Sequence, residues 1–179
     1  MATRLYLQNA APGASPSTNR GAWDDVASKI FRGLSRTKSG SITSLGVANA
    51  TTTDAWDVMI LKLVSEPIPA QTIAGTLNVC IGAAESNGAM NGYWHVHAYV
   101  TQGDTDALRG TLLTDWAENT TNEWPAPNAT GLALQAAQNL SSVAISENDR
   151  IVIEIGYVKR NTSATSRTGT LFYGGTGTT

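Results

Sequence analysis

Two histidines, His95 and His97, stand as His-x-His in the stretch "GYWHVHAYV", and the only cysteine, Cys80, lies upstream in the apolar run "TLNVCIG". Three such side chains are enough to hold a catalytic zinc ion with water in the fourth position. Alternate residues of a strand share a face, so Tyr93, His95, His97 and Tyr99 point one way and Trp94, Val96, Ala98 and Val100 the other. A hairpin between Thr76–Gly82 and Tyr93–Val100, joined by "AAESNGAMNG", sets Val79 near Ala98 and Ile81 near Val96, with Cys80 close to His97. A one-residue slip in register turns Cys80 to the opposite face, and nothing nearby fixes a fourth ligand or a general base. The competing reading is a plain strand with a polar-aromatic face. The expectation is therefore no bound metal and no cofactor, with Cys80, His95 and His97 as the metal candidates to check.

"GDTDALRG" carries Asp104 and Asp106 spaced as in calcium loops, but a calcium loop needs further oxygen ligands and usually a bidentate Glu. Asp and Gly shaping a turn between strands account for it more simply. No phosphate loop, dinucleotide fingerprint or nucleophile elbow is present, so no catalytic residue is assigned. Trp116 and Trp124 fall in "TDWAENTTNEWPAP". There, exposed indoles would stack on sugar rings or fill a pocket on a neighbouring protein; the alternative is that they cap the end of the fold. Trp116, Trp124, Tyr93 and Tyr99 are the candidate partner- or glycan-binding residues.

The elements that must position these groups are short apolar-alternating runs separated by turn-rich punctuation. They are Leu5–Leu7, Ser41–Val47, Trp56–Ser65, Thr76–Gly82, Tyr93–Val100, Leu108–Leu113, Arg150–Val158 and Thr168–Gly174. Eight such runs predict an all-β fold, an antiparallel β-sandwich or jelly roll. Two segments read as helical. Trp23, Ala27, Ile30, Phe31 and Leu34 recur at helical spacing, although Gly33 and two β-branched residues leave strand open for 23–34. Ala129–Ser142 has good helix formers and predicts a short helix or helical turn. The whole chain reads as a single domain, with a flexible N-terminal loop over 9–21 and a Gly/Thr-rich tail over 174–179.

At 179 residues the chain is long enough for one substantial core. Its charged fraction is 15%, against ~25% in ordinary soluble domains. The net charge is −2, without a basic stripe, which argues against nucleic acid as a partner. One cysteine excludes an intrachain disulfide framework. The N-terminus lacks a signal-peptide pattern and no apolar run reaches the ~18 residues of a membrane span. The expectation is a protein made in a cytoplasm without membrane contact. The Asn-x-Ser/Thr matches at Asn49, Asn119, Asn128, Asn139 and Asn161 then carry no glycan.

Several segments, "RLYLQNAAPG", "WDD…TKSGSIT", "SEPIPAQTIAGTLNVCIGAAESN", "LRGTLLTD" and "ENDRIVIEIGYVKRNTSATSRTGTLFYGG", resemble a group of small β-sandwich virion proteins of tailed bacteriophages. The resemblance runs through most of the chain and is weakest between Asn119 and Asn139. It implies a structural protein of a phage particle, assembled in the host bacterial cytoplasm and residing in the virion, and it brings no catalytic residues. Within it, the leading expectation is a non-enzymatic head decoration or cement protein whose partners are copies of itself and the major coat protein. A carbohydrate- or receptor-binding domain of a tail or fibre comes second, and a zinc-dependent hydrolase third.

Overall fold

The computed structural model of the chain describes residues 3–26, 30–40, 42–117, 122–125, 131–134, 137–162 and 164–174. Among these residues the elements are strands β1 (Tyr6–Leu7), β2 (Phe31–Ser35), β3 (Ile42–Asn49), β4 (Trp56–Ser65), β5 (Gln71–Leu77), β6 (Cys80–Glu85), β7 (Gly92–Thr101), β8 (Leu108–Ala117), β9 (Gly131–Leu134), β10 (Gln138–Ile145), β11 (Arg150–Lys159) and β12 (Arg167–Gly174). A single 3-10 turn, Gly88–Met90, is capped by the Asn87 side chain and ended by Asn91 in the left-handed region.

The strands form a six-stranded sheet in the order β1-β2-β4-β11-β7-β8, a four-stranded sheet β3-β12-β6-β9, and a two-stranded ribbon β10-β5. The β3–β4, β6–β7, β8–β9 and β11–β12 connections each pass from one main sheet to the other. With β5/β6 and β9/β10 taken as two interrupted strands, this is the eight-strand, double Greek-key arrangement of a jelly roll, extended by β1 and β2. The all-β sandwich expected from the alternating runs is thus what forms.

The core lies between the two main sheets. Val58, Ile60, Trp94, Val96, Ala98, Ile155 and Tyr157 enter it from the large sheet, and Val47, Ile81, Ala83, Leu171 and Tyr173 from the small one. Trp94 and Trp124 meet edge to face with ring centroids 4.9 Å apart, and Trp124 leans on Tyr157 at 5.7 Å. Such aromatic pairs add ~0.5–1.5 kcal/mol to their area burial. Trp56 is half-buried against the same cluster.

Three expectations are corrected. Phe31–Ser35 is a strand, pairing parallel with β4 from Phe31↔Lys62 to Leu34↔Ser65; residues 27–29 lie outside the described set. The helical spacing of Phe31 and Leu34 is met instead on the two faces of one strand. Leu34 enters the main core and Phe31 packs on the outer side, while Gly33 costs a helix about 1 kcal/mol relative to Ala. Within Ala129–Ser142, the described residues form β9 and the start of β10 rather than a helix, while 129–130 and 135–136 lie outside the described set. Pairing of β10 with β5 and burial of Val143 and Ile145 override helix propensity there. Thr76–Gly82 is not one strand: β5 ends at Leu77 and β6 begins at Cys80.

Candidate functional site

A cluster of buried polar side chains lies on the outer face of the large sheet. Lys62 on β4, Glu154 on β11 and His97 on β7 stand side by side in register, through Glu154↔Lys62 and Glu154↔His97. Alternation puts all three on the face opposite Val96 and Ile155, away from the main core. Isolated charges there would face water; these do not. Lys62 and Glu154 are 1% and 0% exposed, with Nζ 3.4 Å from Oε1.

An N-terminal arm makes that burial tolerable. Residues 9–21 have no regular structure, yet they are pinned down rather than free. The carbonyls of Pro16 and Thr18 accept from Lys62 Nζ at 3.1 and 2.8 Å. Glu154 accepts from the backbone N–H of Arg20 at 3.1 Å and of Gly21 at 2.9 Å. It accepts also from the Trp23 indole at 2.8 Å and the Tyr99 hydroxyl at 3.1 Å. A buried ion pair is held only when its remaining hydrogen-bonding capacity is met, and the arm meets it. Beneath the arm, Val64, Tyr99 and Val152 form a second small core with Phe31 against it.

The histidines belong to the same assembly. His95 Nδ1 lies 2.7 Å from Asp57 Oδ1, and its Nε2 lies 3.3 Å from Asp115 Oδ1. His97 Nδ1 is 3.1 Å from that same Asp115 oxygen, while its buried Nε2 has no hydrogen-bond partner. Trp23 stacks on the His95 ring at 4.1 Å between centroids. Burial works to raise the Asp115 carboxyl, but the Ala22 N–H, His97 and His95 outweigh it, so its pKa falls below the usual value. Asp106 holds the arm from outside, accepting from the Thr18 N–H and the Ser17 hydroxyl, and those two bonds lower its pKa as well. Burial, with Glu154 beside it, pushes the Tyr99 phenol up.

These positions bear directly on the candidates drawn from sequence. Strand β7 pairs with β8 and β11, whereas β6, which carries Cys80, pairs with β12 and β9 in the other sheet. The expected hairpin does not form, because the Glu85–Gly92 connection crosses between the sheets. The strand that carries Cys80 therefore lies in the other sheet from the strand of His95 and His97. Among the described residues, no three His, Cys, Asp or Glu side chains are placed to hold a metal ion.

Tyr99 is fully buried beneath the arm, and Trp124 is 1% exposed inside the sandwich, so neither presents a ring face to a sugar. Trp116 lies within β8, not in a loop, and is half-buried against the core; Tyr93 is half-buried. Asp104 and Asp106 diverge, one to Arg150 Nε and the other to the arm, as a turn requires and a calcium site does not.

Sequence reasoning missed the Lys62–Glu154 pair and Glu85. Glu85 is 1% exposed; its Oε2 accepts from Gly92 N at 2.8 Å, and Oε1 has no hydrogen-bond partner. Burial pushes its carboxyl up to about 7, with Gly92 opposing and Glu123 reinforcing. Its backbone N–H bonds Pro125 O at 3.0 Å and so helps to seat Trp124. The signal for Lys62 and Glu154 was a lone charge inside an apolar run, "MILKLV" and "VIEIG", whereas Glu85 stands at the end of one, in "CIGAAESN".

No family model matches the chain, and no curated protein matches it.

Proposed function

We propose that the chain is a non-enzymatic structural component of a tailed-phage particle, a head decoration or cement protein that binds neighbouring coat subunits and copies of itself. Jelly rolls build viral coats but also lectins and cupins, so the fold alone does not carry this reading. The observation that carries it is the outer face of the four-stranded sheet. Ser44, Gly46 and Ala48 on β3 lie beside Phe172, Thr170 and Thr168 on β12, with Gly82 and Ala84 of β6 beyond.

Among the described side chains that face holds no charge, and its large ones are Phe172 and, at the edge, Ile42. An ordinary solvated sheet surface carries Lys and Glu; a flat, neutral one of small residues suits contact with a neighbour. Its mechanism is burial of neutral surface at repeated interfaces, which stabilises the assembled shell by mass action.

The test is quantitative mass spectrometry of purified particles, giving copies of this chain relative to the major coat protein. A comparable copy number supports head decoration. A handful of copies would move the protein to the tail and reopen receptor binding. Absence from the particle overturns the reading.

A further inference from the structure

We propose that β3 pairs antiparallel, edge to edge, with β3 of a second copy, joining two four-stranded sheets into one of eight strands. The inference rests on the virion reading for the choice of a second copy as partner. Its physical basis is the edge itself.

Among the described residues strand β3 is hydrogen-bonded on one side only, to β12. It is eight residues long, "ITSLGVAN", without Lys, Pro or any other residue that blunts an edge. No charged side chain occurs from Ser39 to Thr53. Proteins that remain monomeric protect such edges with charges, prolines, bulges, short strands or a covering segment.

The other edges here are protected in those ways. Strand β1 has two residues and β9 has four. Strand β8 is covered by β10, with Val143 against Gly110. Strand β5 has Gly75 at a φ of 102°, and its ladder with β10 shifts register between Leu140 and Val143. Among the described residues β3 is the long edge left without a device.

Symmetry narrows the geometry. A two-fold axis normal to the sheet keeps the outer face outermost in both copies, and residues directly opposite each other in an antiparallel pair share a face. Ile42, Ser44, Gly46 and Ala48 are the exposed set, with Thr43, Leu45 and Val47 turned inward. Paired positions must therefore be both exposed or both inward, which puts the axis at a residue and not between two.

Leu45 and Gly46 are equally near the middle of the strand, but an axis at Gly46 would set Ile42 opposite the partner's Ala50, beyond the strand. An axis at Leu45 sets Ile42 opposite the partner's Ala48 and Ser44 opposite the partner's Gly46. Ile42, 73% exposed and the most exposed large hydrophobic residue described, gains an apolar neighbour. An uncharged strand meets its own copy without like-charge repulsion.

The experiment is sedimentation velocity on the full chain over a range of concentrations. The expected result is a concentration-dependent dimer. Ser44→Lys places two ammonium groups near the axis on the solvent side and should weaken the dimer at least ~10-fold, with the circular dichroism and melting of the diluted protein unchanged. In a Cys80→Ser background, Ile42→Cys/Ala48→Cys should form a covalent dimer on mild oxidation, and neither single variant should.

A strictly monomeric wild type, or a dimer that Ser44→Lys leaves intact, overturns the proposal. A monomer present at coat-like copy number on particles would sink the edge pairing alone. A dimer absent from particles would sink the virion reading alone.

Discussion

The two outer faces of this sandwich are finished in opposite ways. On the large sheet, Lys62, Glu154, His95 and His97 are carried outward and then roofed by the chain's own N-terminal arm, which donates backbone N–H groups into Glu154 and lays Trp23 over His95. On the small sheet, Ser44, Gly46 and Ala48 are exposed beside the half-exposed Thr168 and Thr170, with no roof among the described residues. Charge appears where the chain supplies its own cover, and neutrality where it does not. Burying a charge needs groups positioned to satisfy it, which a segment of the same chain provides dependably. A neutral surface of small residues asks little of whatever comes to lie on it.

Removing the anchor should collapse this contrast most completely. Glu154→Ala leaves Lys62 buried without its counter-charge, and chemical denaturation should register a loss of about 3–5 kcal/mol, with Arg20 becoming a tryptic site. A midpoint equal to that of the wild type would mean that the pair does not hold the arm.

Acid should act on the same face through Asp115 and Asp106. Both carboxyls have folded pKa values below the unfolded value of ~3.9. Their contribution is therefore fully present above about pH 4 and is lost as the pH falls through the lowered folded values. Hydrogen exchange at the Thr18 and Ala22 amides, corrected for intrinsic rate, should speed up below pH 4 while the β11 amides stay protected.

A smaller effect is expected from Trp23→Ala, which removes one hydrogen bond and one ring stack and should cost about 1–2 kcal/mol, read by thermal melting. Smallest of all, Ala48→Lys on the unroofed face should change the stability of the diluted protein by no more than about 0.5 kcal/mol. Its effect belongs in assembly, as weaker retention on particles; an equally large loss of fold stability would show that the two faces do not differ as described.

The long strands were legible because length, apolar content and alternation agree. Trp56–Ser65 forms as read, and Tyr93–Val100 and Arg150–Val158 each extend by one residue or so. The partition of β7 was also legible, with Trp94, Val96 and Ala98 inward and His95 and His97 outward. What alternation cannot encode is which sheet a strand joins. Cys80 and His97 read as neighbours because a hairpin is the shortest connection, whereas β6 and β7 belong to opposite sheets of the jelly roll. Spacing of three and four also misled in Trp23–Leu34 and Ala129–Ser142, since a strand that uses both faces produces the same marks. Lys62 and Glu154 each looked anomalous in an apolar run, but their pairing depends on strands far apart in sequence.

The arm's attachment also dictates when it can form. Its bonds to Glu154 span more than 130 positions of the chain, so Arg20, Gly21 and Trp23 have no acceptor until β11 has been made. Until β11 is in place, Lys62 has neither its counter-ion nor the carbonyls of Pro16 and Thr18 held against it. Contacts this distant in sequence form slowly. Docking of the arm is therefore a late event in biogenesis, and it closes the large sheet only once that sheet is complete.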